Sequence, residues 1–409
     1  MASSVNLFLS IPLIFLISTS VSHNPILPKA AILQVSKDFT TLQYVTTIFM
    51  GQTLAPIKLV VDLNNPLIWV DCESKSHHPI KSCSLQCSMA KSIKGCSKFT
   101  SETGHNSKPC TLQAQNTISR TSTSGEMNED LMSIEFWDGK NSGSFATNDQ
   151  FLFSCAPNLL LKGLAKGAKG MLGLGDSRIS LPSQFSSTFG FFGRKFSLCL
   201  SSFEKGAIFL GGNPFESEIS SSMMYTPLVK KGLQEGYYID VNSIKISGQK
   251  LHFHQNGAKI STIVPYTTME SKIFAKFVEV YVKFAISMNL TLVPSVAPFE
   301  ACFSSKGVEN SKIGPKVPII DLVLQSEMVK WRIFGKNLLV HVSDEVMCLG
   351  FLDGGLSAKD SIVIGGYQLE DHLLEFYLGN SMLGFSSSLL MGDKKCSDFE
   401  AFDISREIL

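Results

Sequence analysis

Short apolar stretches of strand length, cut by Gly, Pro, Ser and Asn, make up most of the chain beyond its first thirty or so residues. Gln43 to Phe49, Ile57 to Val61, Ala207 to Leu210, Tyr237 to Ile246, Trp331 to Phe334 and Ser361 to Ile364 each predict a strand, many of them rich in Val, Ile, Phe or Tyr. Helical periodicity is rarer. Met269 to Ile286 sets Ile273, Phe274, Phe277, Tyr281, Phe284 and Ala285 at helical steps, with Lys272, Lys276, Glu279 and Lys283 opposite. That pattern predicts one amphipathic helix whose aromatic stripe faces a core. Leu181 to Phe189 predicts a shorter helix, because Pro182 near its start removes an N–H that would have no helical partner there. The expected fold is mainly β with a few short helices.

Lys169 to Gly175 and Ser361 to Gly366 are both apolar strands running into glycine, a weak internal echo that suggests duplication. A chain of 409 residues is long enough for two lobes. The turn-rich Gly211-Gly212-Asn213-Pro214 near the midpoint is the expected crossing between them. Residues 1–22 read as an export signal: Val5 to Ile17 is nearly all apolar, and Ser20-Val21-Ser22 supplies small residues for cleavage after Ser22. Pro12 breaks the apolar run, which falls short of the roughly 18 residues a membrane span needs. No membrane attachment is therefore expected after cleavage. The expected divisions are 23–213 and 214–396 for the lobes, with a polar tail at 397–409.

Lys and Arg number 36 against 35 Asp and Glu, so the electrostatic footprint of a general nucleic-acid binder is absent. All ten cysteines, Cys72, Cys83, Cys87, Cys96, Cys110, Cys155, Cys199, Cys302, Cys348 and Cys396, lie beyond the signal. An even count in an exported chain favours disulfides. Cys83, Cys87 and Cys96 lack the paired short spacing of a structural zinc site, and neither metal nor cofactor is expected. Asn289-Leu290-Thr291 is the sole glycosylation sequon, with Asn289 as its acceptor.

Three chemical motifs fail on their own terms. Gly170, Gly173 and Gly175 reverse the spacing of a dinucleotide fingerprint. Ser177 after Asp176 would need an Asp and a His placed to activate it, and Asp371-His372 are adjacent and point differently. His252 and His254 have no evident third ligand.

The stretch Lys58 to Asp62 is more specific: an apolar strand ends at Asp62, Leu63-Asn64-Asn65 follow, and Trp69 lies seven residues on. This resembles the pepsin-like aspartic proteases, in which two such strands each end in Asp-Thr/Ser-Gly and the first is followed by Trp. Within that superfamily the chain is similar to a plant group of xylanase inhibitors, extracellular dermal glycoprotein and the legume basic globulins called γ-conglutins. The likeness rests on Pro66 to Glu73, Lys259 to Thr262 with Pro265-Tyr266-Thr267, Val317 to Leu324, Trp331 to Asn337, Cys348 to Phe351 and Gly384 to Leu390. It implies a bilobal fold with a central interlobe cleft.

The same resemblance places the second protease aspartate on Ser261, and no aspartate lies between Asp240 and Asp321. Active proteases of this type need two carboxylates that share one proton, one priming water and the other protonating the peptide carbonyl. Asp62 alone is expected to titrate near the ordinary value of about 3.9 and to cap a strand end without chemistry. Leu63 replaces a Thr whose hydroxyl ties the two catalytic loops, and Asn64 replaces a Gly. No tyrosine occurs from Val45 to Met224, so the flap-like segment Asn116 to Gly125 lacks the usual clamp over the cleft. Trp69 is expected simply to pack in the core.

The group commonly carries twelve cysteines; the missing pair belongs to the divergent loop between Cys87 and Cys110. Members look like silent proteases turned binding proteins, and some block microbial xylanases or glucanases. The xylanase inhibitors insert a histidine carried just before the final cysteine, whereas Met391 to Cys396 here holds none. The resemblance therefore implies a secreted binding or inhibitory protein whose partners are glycoside hydrolases. A residual aspartic endopeptidase and a seed storage or defence globulin are the alternatives.

Overall fold

The computed structural model describes residues 30–72, 78–91, 108–137, 144–190, 193–203, 205–212, 219, 222–232, 235–253 and 257–398. Residues 1–22 with their signal-like pattern, Cys96, Asn213-Pro214, His254 and nearly all of the polar tail lie outside the described residues.

The echo seen in sequence is a topological repeat. In the first half Ala55–Asp62 lies parallel to Gly170–Gly173, pairing Asp62 with Gly173. Trp69–Asp71 runs antiparallel to that same glycine strand and parallel to the end of Ser144–Ala156. The second half repeats each relation: Ala258–Ile260 is parallel to Ile362–Ile364, which is antiparallel to Thr267–Met269, itself parallel to Phe351–Asp353. Glycines end the central strands because backbone crosses them: a Cβ on Gly173 would meet Leu67 O at 2.2 Å.

The halves are fastened by one antiparallel run in the order Met223–Pro227, Met382–Ser386, Leu373–Tyr377, Lys195–Cys199, Gly206–Gly211 and Ala30–Asp38. The halves meet in it where Lys195–Cys199 pairs with Leu373–Tyr377. One buried apolar cluster runs through both halves, from Ala31 and Leu33 to Leu383 and Phe385. At this size, such a core supplies most of the folding free energy.

Most predicted elements form close to their expected bounds. The aromatic helix spans Ser271–Ser287 and buries Phe274, Phe277, Tyr281 and Ala285; Glu270 caps it by accepting from the Lys272 and Ile273 amides. The shorter helix is Leu181–Thr188. One expectation needs correcting. Tyr237 to Ile246 is two strands in different sheets: Tyr237–Ile239 pairs with Ala258–Ile260, while Ser243–Ile246 pairs with Ile320–Ser326. Asp240 and Asn242 are poor strand residues, and Asn242 turns its carboxamide onto Leu324 O.

Disulfides join Cys72 to Cys155, Cys87 to Cys110, Cys199 to Cys396 and Cys302 to Cys348. Cys83 is also disulfide-bonded. The Cys199–Cys396 bond spans 197 residues and fastens the C-terminal segment to a strand of the first half. Asn289 is exposed just past the long helix, in the left-handed region at φ 65°. Among the described residues no group of three His, Cys, Asp or Glu could hold a metal, and no helix is long and apolar enough to cross a membrane.

Candidate functional site

Leu59, Val60 and Val61 are fully buried, and they deliver Asp62 to the centre of the molecule with 1% of its surface exposed. One carboxylate oxygen accepts from the Asn64 amide at 3.0 Å; the other accepts from the Thr117 hydroxyl at 2.7 Å. Burial pushes the carboxyl above its ordinary range, and the bonds from Thr117 and Asn64 counter this only in part. The expectation of an ordinary titration is thus corrected. An isolated acid still has to leave water, and its desolvation was not legible in the local sequence.

Ser261 follows Ala258–Ile260 as Asp62 ends its own strand. It is 4% exposed; its amide donates to Ile364 O at 2.9 Å, and its hydroxyl oxygen accepts from the Ile263 and Val264 amides at 3.1 and 3.3 Å. The hydroxyl therefore receives local amides much as a strand-end carboxylate would, but carries no charge.

The loop-tying function attributed to the missing Thr is not lost. Thr262 donates its hydroxyl proton to Val61 O at 2.8 Å and accepts from the Leu63 amide at 3.1 Å. Asn64 reaches the other way, donating to Ile260 O at 2.9 Å and accepting from the Tyr237 amide at 3.0 Å. All four bonds are buried and all cross between the halves. A bulkier residue at Gly236 would break the second set: its φ is +124°, and a Cβ there would meet Asn64 Oδ1 at 2.6 Å. Sequence reading counted Asn64 only as a lost glycine, because the partner of its carboxamide lies 196 residues away.

Trp69 is fully buried as expected, and its indole N–H also donates to Gln115 O at 2.8 Å. It thereby pins the hairpin formed by Thr111–Asn116 and Thr121–Trp137. Without a tyrosine, the hairpin turn is clamped by Asn116, whose buried carboxamide donates to Leu160 O and Lys162 O and accepts from the amides of Ile118 and Ser119. That clamp sets Thr117 on Asp62.

A further residue of the site went unnoticed in the sequence. Lys259, two positions before Ser261, is partly buried and lies within electrostatic reach of Asp62, Glu235 and Asp360; desolvation lowers its affinity for the proton. Its ammonium stands 5.6 Å from the Tyr238 ring centre. The esterase alternative has no geometry behind it: Ser177 donates to Pro66 O, Asp176 pairs with Arg194 at 2.6 Å, and buried His372 sets Nδ1 against Glu370 O at 2.9 Å.

Two family models match the chain, one described as xylanase inhibitor N-terminal over residues 44–212 and one as xylanase inhibitor C-terminal over residues 236–387. The chain is similar to probable aspartic proteinase GIP2 of Nicotiana benthamiana, with 42% identity across 99% of this chain and 100% of that protein. It is 40% identical to gamma conglutin 1 of Prunus dulcis, covering 96% of this chain and 95% of that one. The crystal structure of edgp superposes with a TM-score of 0.82 at 39% identity, covering 91% of this chain and 98% of that chain. Conglutin gamma from lupine seeds superposes with a TM-score of 0.81 at 33% identity, covering 91% and 98%. With a pepsin-like strand repeat around Asp62 and both halves matched, the chain belongs to the xylanase-inhibitor-type family of aspartic proteinase homologues.

Proposed function

We propose that this is a secreted, proteolytically silent member of its family that binds and inhibits cell-wall-degrading glycoside hydrolases of the xylanase or endoglucanase type. The reading is carried by one observation: Asp62 is 1% exposed and both its oxygens are engaged, by Thr117 and by Asn64. Ser261, a hydroxyl, stands in the role of the second acid with which Asp62 would share a proton, and protein donors already occupy both Asp62 oxygens. Binding then falls to surface loops on a rigid frame. Two such loops meet where Lys312, in the Asn310–Pro315 hairpin, pairs with Asp393 in the loop before Cys396. Met391 in the same loop is 57% exposed. Because that loop holds no histidine, engagement of a hydrolase rests on this Lys312–Asp393 surface. Secretion is supported by the disulfides and by the signal-like residues 1–22.

The test is inhibition and pull-down against a panel of xylanases and endoglucanases, with the wild type, Asp62→Ala and Lys312→Glu. The expected result is inhibition of at least one hydrolase, unchanged by Asp62→Ala and weakened by Lys312→Glu. Pepstatin-sensitive peptide cleavage near acid pH that disappears in Asp62→Ala would replace this reading by an endopeptidase.

A further inference from the structure

The Cys199–Cys396 bond holds two distant chain segments side by side, and a pocket of about 290 Å³ opens beside them. Its walls come from the turn after Lys195–Cys199, the Asn310–Pro315 hairpin, the start of the Gly335–Leu338 helix and the residues flanking Cys396. Several polar groups in these walls lack a partner from the protein.

Three of them are buried: Asp371 is 4% exposed, Ser202 8% and Ser397 4%. One Asp371 oxygen accepts from the Cys396 amide at 3.3 Å. Its other oxygen has no hydrogen-bond partner among the described residues, and neither do the hydroxyls of Ser202 and Ser397. Buried polar groups are costly to leave unpaired, so three around one pocket point to a ligand with both acceptors and a donor.

The cations are Lys336 and Lys395, neither of which forms an ion pair among the described residues. Lys336 is half-buried, with its ammonium 4.2 Å from the Phe203 ring centre; Lys395 is exposed. Lys312 also lines the pocket but is committed to Asp393, and neighbouring Glu370 is committed to Lys37. Two uncommitted ammoniums against one carboxyl select an anion, in a chain whose formal net charge is only +1.

Asp371 narrows the kind of anion. A carboxylate or a sulfate has shed its protons near neutral pH and would set one more bare oxygen against Asp371. A phosphate group keeps a proton near pH 6. It can donate that proton to the carboxylate while its other oxygens accept from ammoniums and hydroxyls. Burial raises Asp371 to about 6, so either partner can hold the shared proton there.

We propose that this pocket binds a phosphate group that retains a proton, with its oxygens on Lys336, Lys395, Ser202 and Ser397 and its proton directed to Asp371. The phosphate is either the free ion or the head of a small monoester whose body lies against Phe203 and Leu390. Binding is read directly and Lys312 stays in place, so the outcome is separate from inhibition of a hydrolase.

Isothermal titration calorimetry on the full chain near pH 6 tests it, with inorganic phosphate, phenyl phosphate and sulfate as titrants. Phosphate is expected to bind about tenfold more tightly than sulfate, although it carries less charge at that pH. Tighter binding of phenyl phosphate than of the free ion assigns the pocket to a monoester, and the reverse order to the ion; both orders support the proposal. Lys336→Gln with Lys395→Gln should weaken phosphate about tenfold. Lys395→Gln alone, at an exposed position that folding does not depend on, should weaken it about threefold. Asp371→Asn should strengthen sulfate relative to phosphate until the two lie within about twofold, because a carboxamide can donate to either ion. Lys283→Gln, on the exposed face of the long helix, is the control and should change nothing. Sulfate binding as tightly as phosphate to the wild type overturns the proposal. So does the absence of phosphate binding at millimolar concentration, or indifference to Lys395→Gln.

Discussion

The turns at Asp62 and at Ser261 occupy matching places in the strand repeat and carry different residues. The first keeps its acid and has Leu63 after it; the second keeps Thr262 and has a hydroxyl where the acid would be. The hydrogen bonds they exchange have nevertheless been kept whole, because Thr262 serves Val61 and Leu63 while Asn64 serves Ile260 and Tyr237. What the pair of turns does mechanically and what it does chemically are therefore separable. The strut between the halves draws on both turns; a carboxyl stands at one of them only, where Thr117 engages it.

Cutting the strut is the most severe way to probe this separation. Thr262→Val leaves Val61 O and Leu63 N–H buried and unpaired, and Asn64→Leu does the same to Ile260 O and Tyr237 N–H. Each variant should lose about 3 kcal/mol in urea unfolding, since each orphans two buried backbone groups. The double variant should lose less than the sum, because both relax one interface. A loss below about 1 kcal/mol in either single variant would mean that the two turns are held by packing alone.

The second half carries a buried acid–base neighbour pair beyond its turn. Burial raises Asp371 to about 6 and lowers His372 to about 4. Between these values the native Asp371 holds a proton its unfolded counterpart has released, so it stabilises the fold as pH falls. The native His372 lacks a proton its unfolded counterpart has taken up, so it destabilises over nearly the same window. The two effects, about 3 kcal/mol each, oppose one another. Asp371→Asn removes only the first. Its stability deficit against wild type should widen by about 3 kcal/mol as pH falls from 6 to 4, read from unfolding midpoints across that range. A deficit independent of pH would remove this pair from the comparison.

Restoring the missing charge is the mildest probe. Ser261→Asp should lower stability by about 2 kcal/mol at neutral pH, where two carboxylates would face one cleft, and by less near pH 4, where they share a proton. It should not produce peptide hydrolysis while Thr117 engages Asp62. Hydrolysis gained by this single variant would show that the turn at Ser261 needs nothing but an acid to take part in catalysis.

Much of this was legible before any coordinates. The strand ending at Asp62, the buried Trp69, the echoing glycine strands and the aromatic helix all follow from local pattern, because period and residue type act within a few positions. The site's supports were not. Asn64 is read as a poor replacement for glycine until Ile260 and Tyr237 come within its reach, and Lys259 is one alternating residue of a strand until it faces Asp62. The clamp by Asn116 replaces the tyrosine whose absence the sequence did show. Contacts between distant segments decide these roles, and single-chain pattern carries no distance. The broken run from Tyr237 to Ile246 failed for a smaller reason: its apolar pattern continues through Asp240 and Asn242, two residues that suit a bend.

The Cys199–Cys396 bond has a consequence for how the molecule would withstand a protease. A protease that severed the backbone at any point between those two cysteines would produce fragments still joined through sulfur and still interleaved in a common sheet. Such a nicked molecule would migrate as one species until reduced, then as two. Its shape would thus outlast the continuity of its chain.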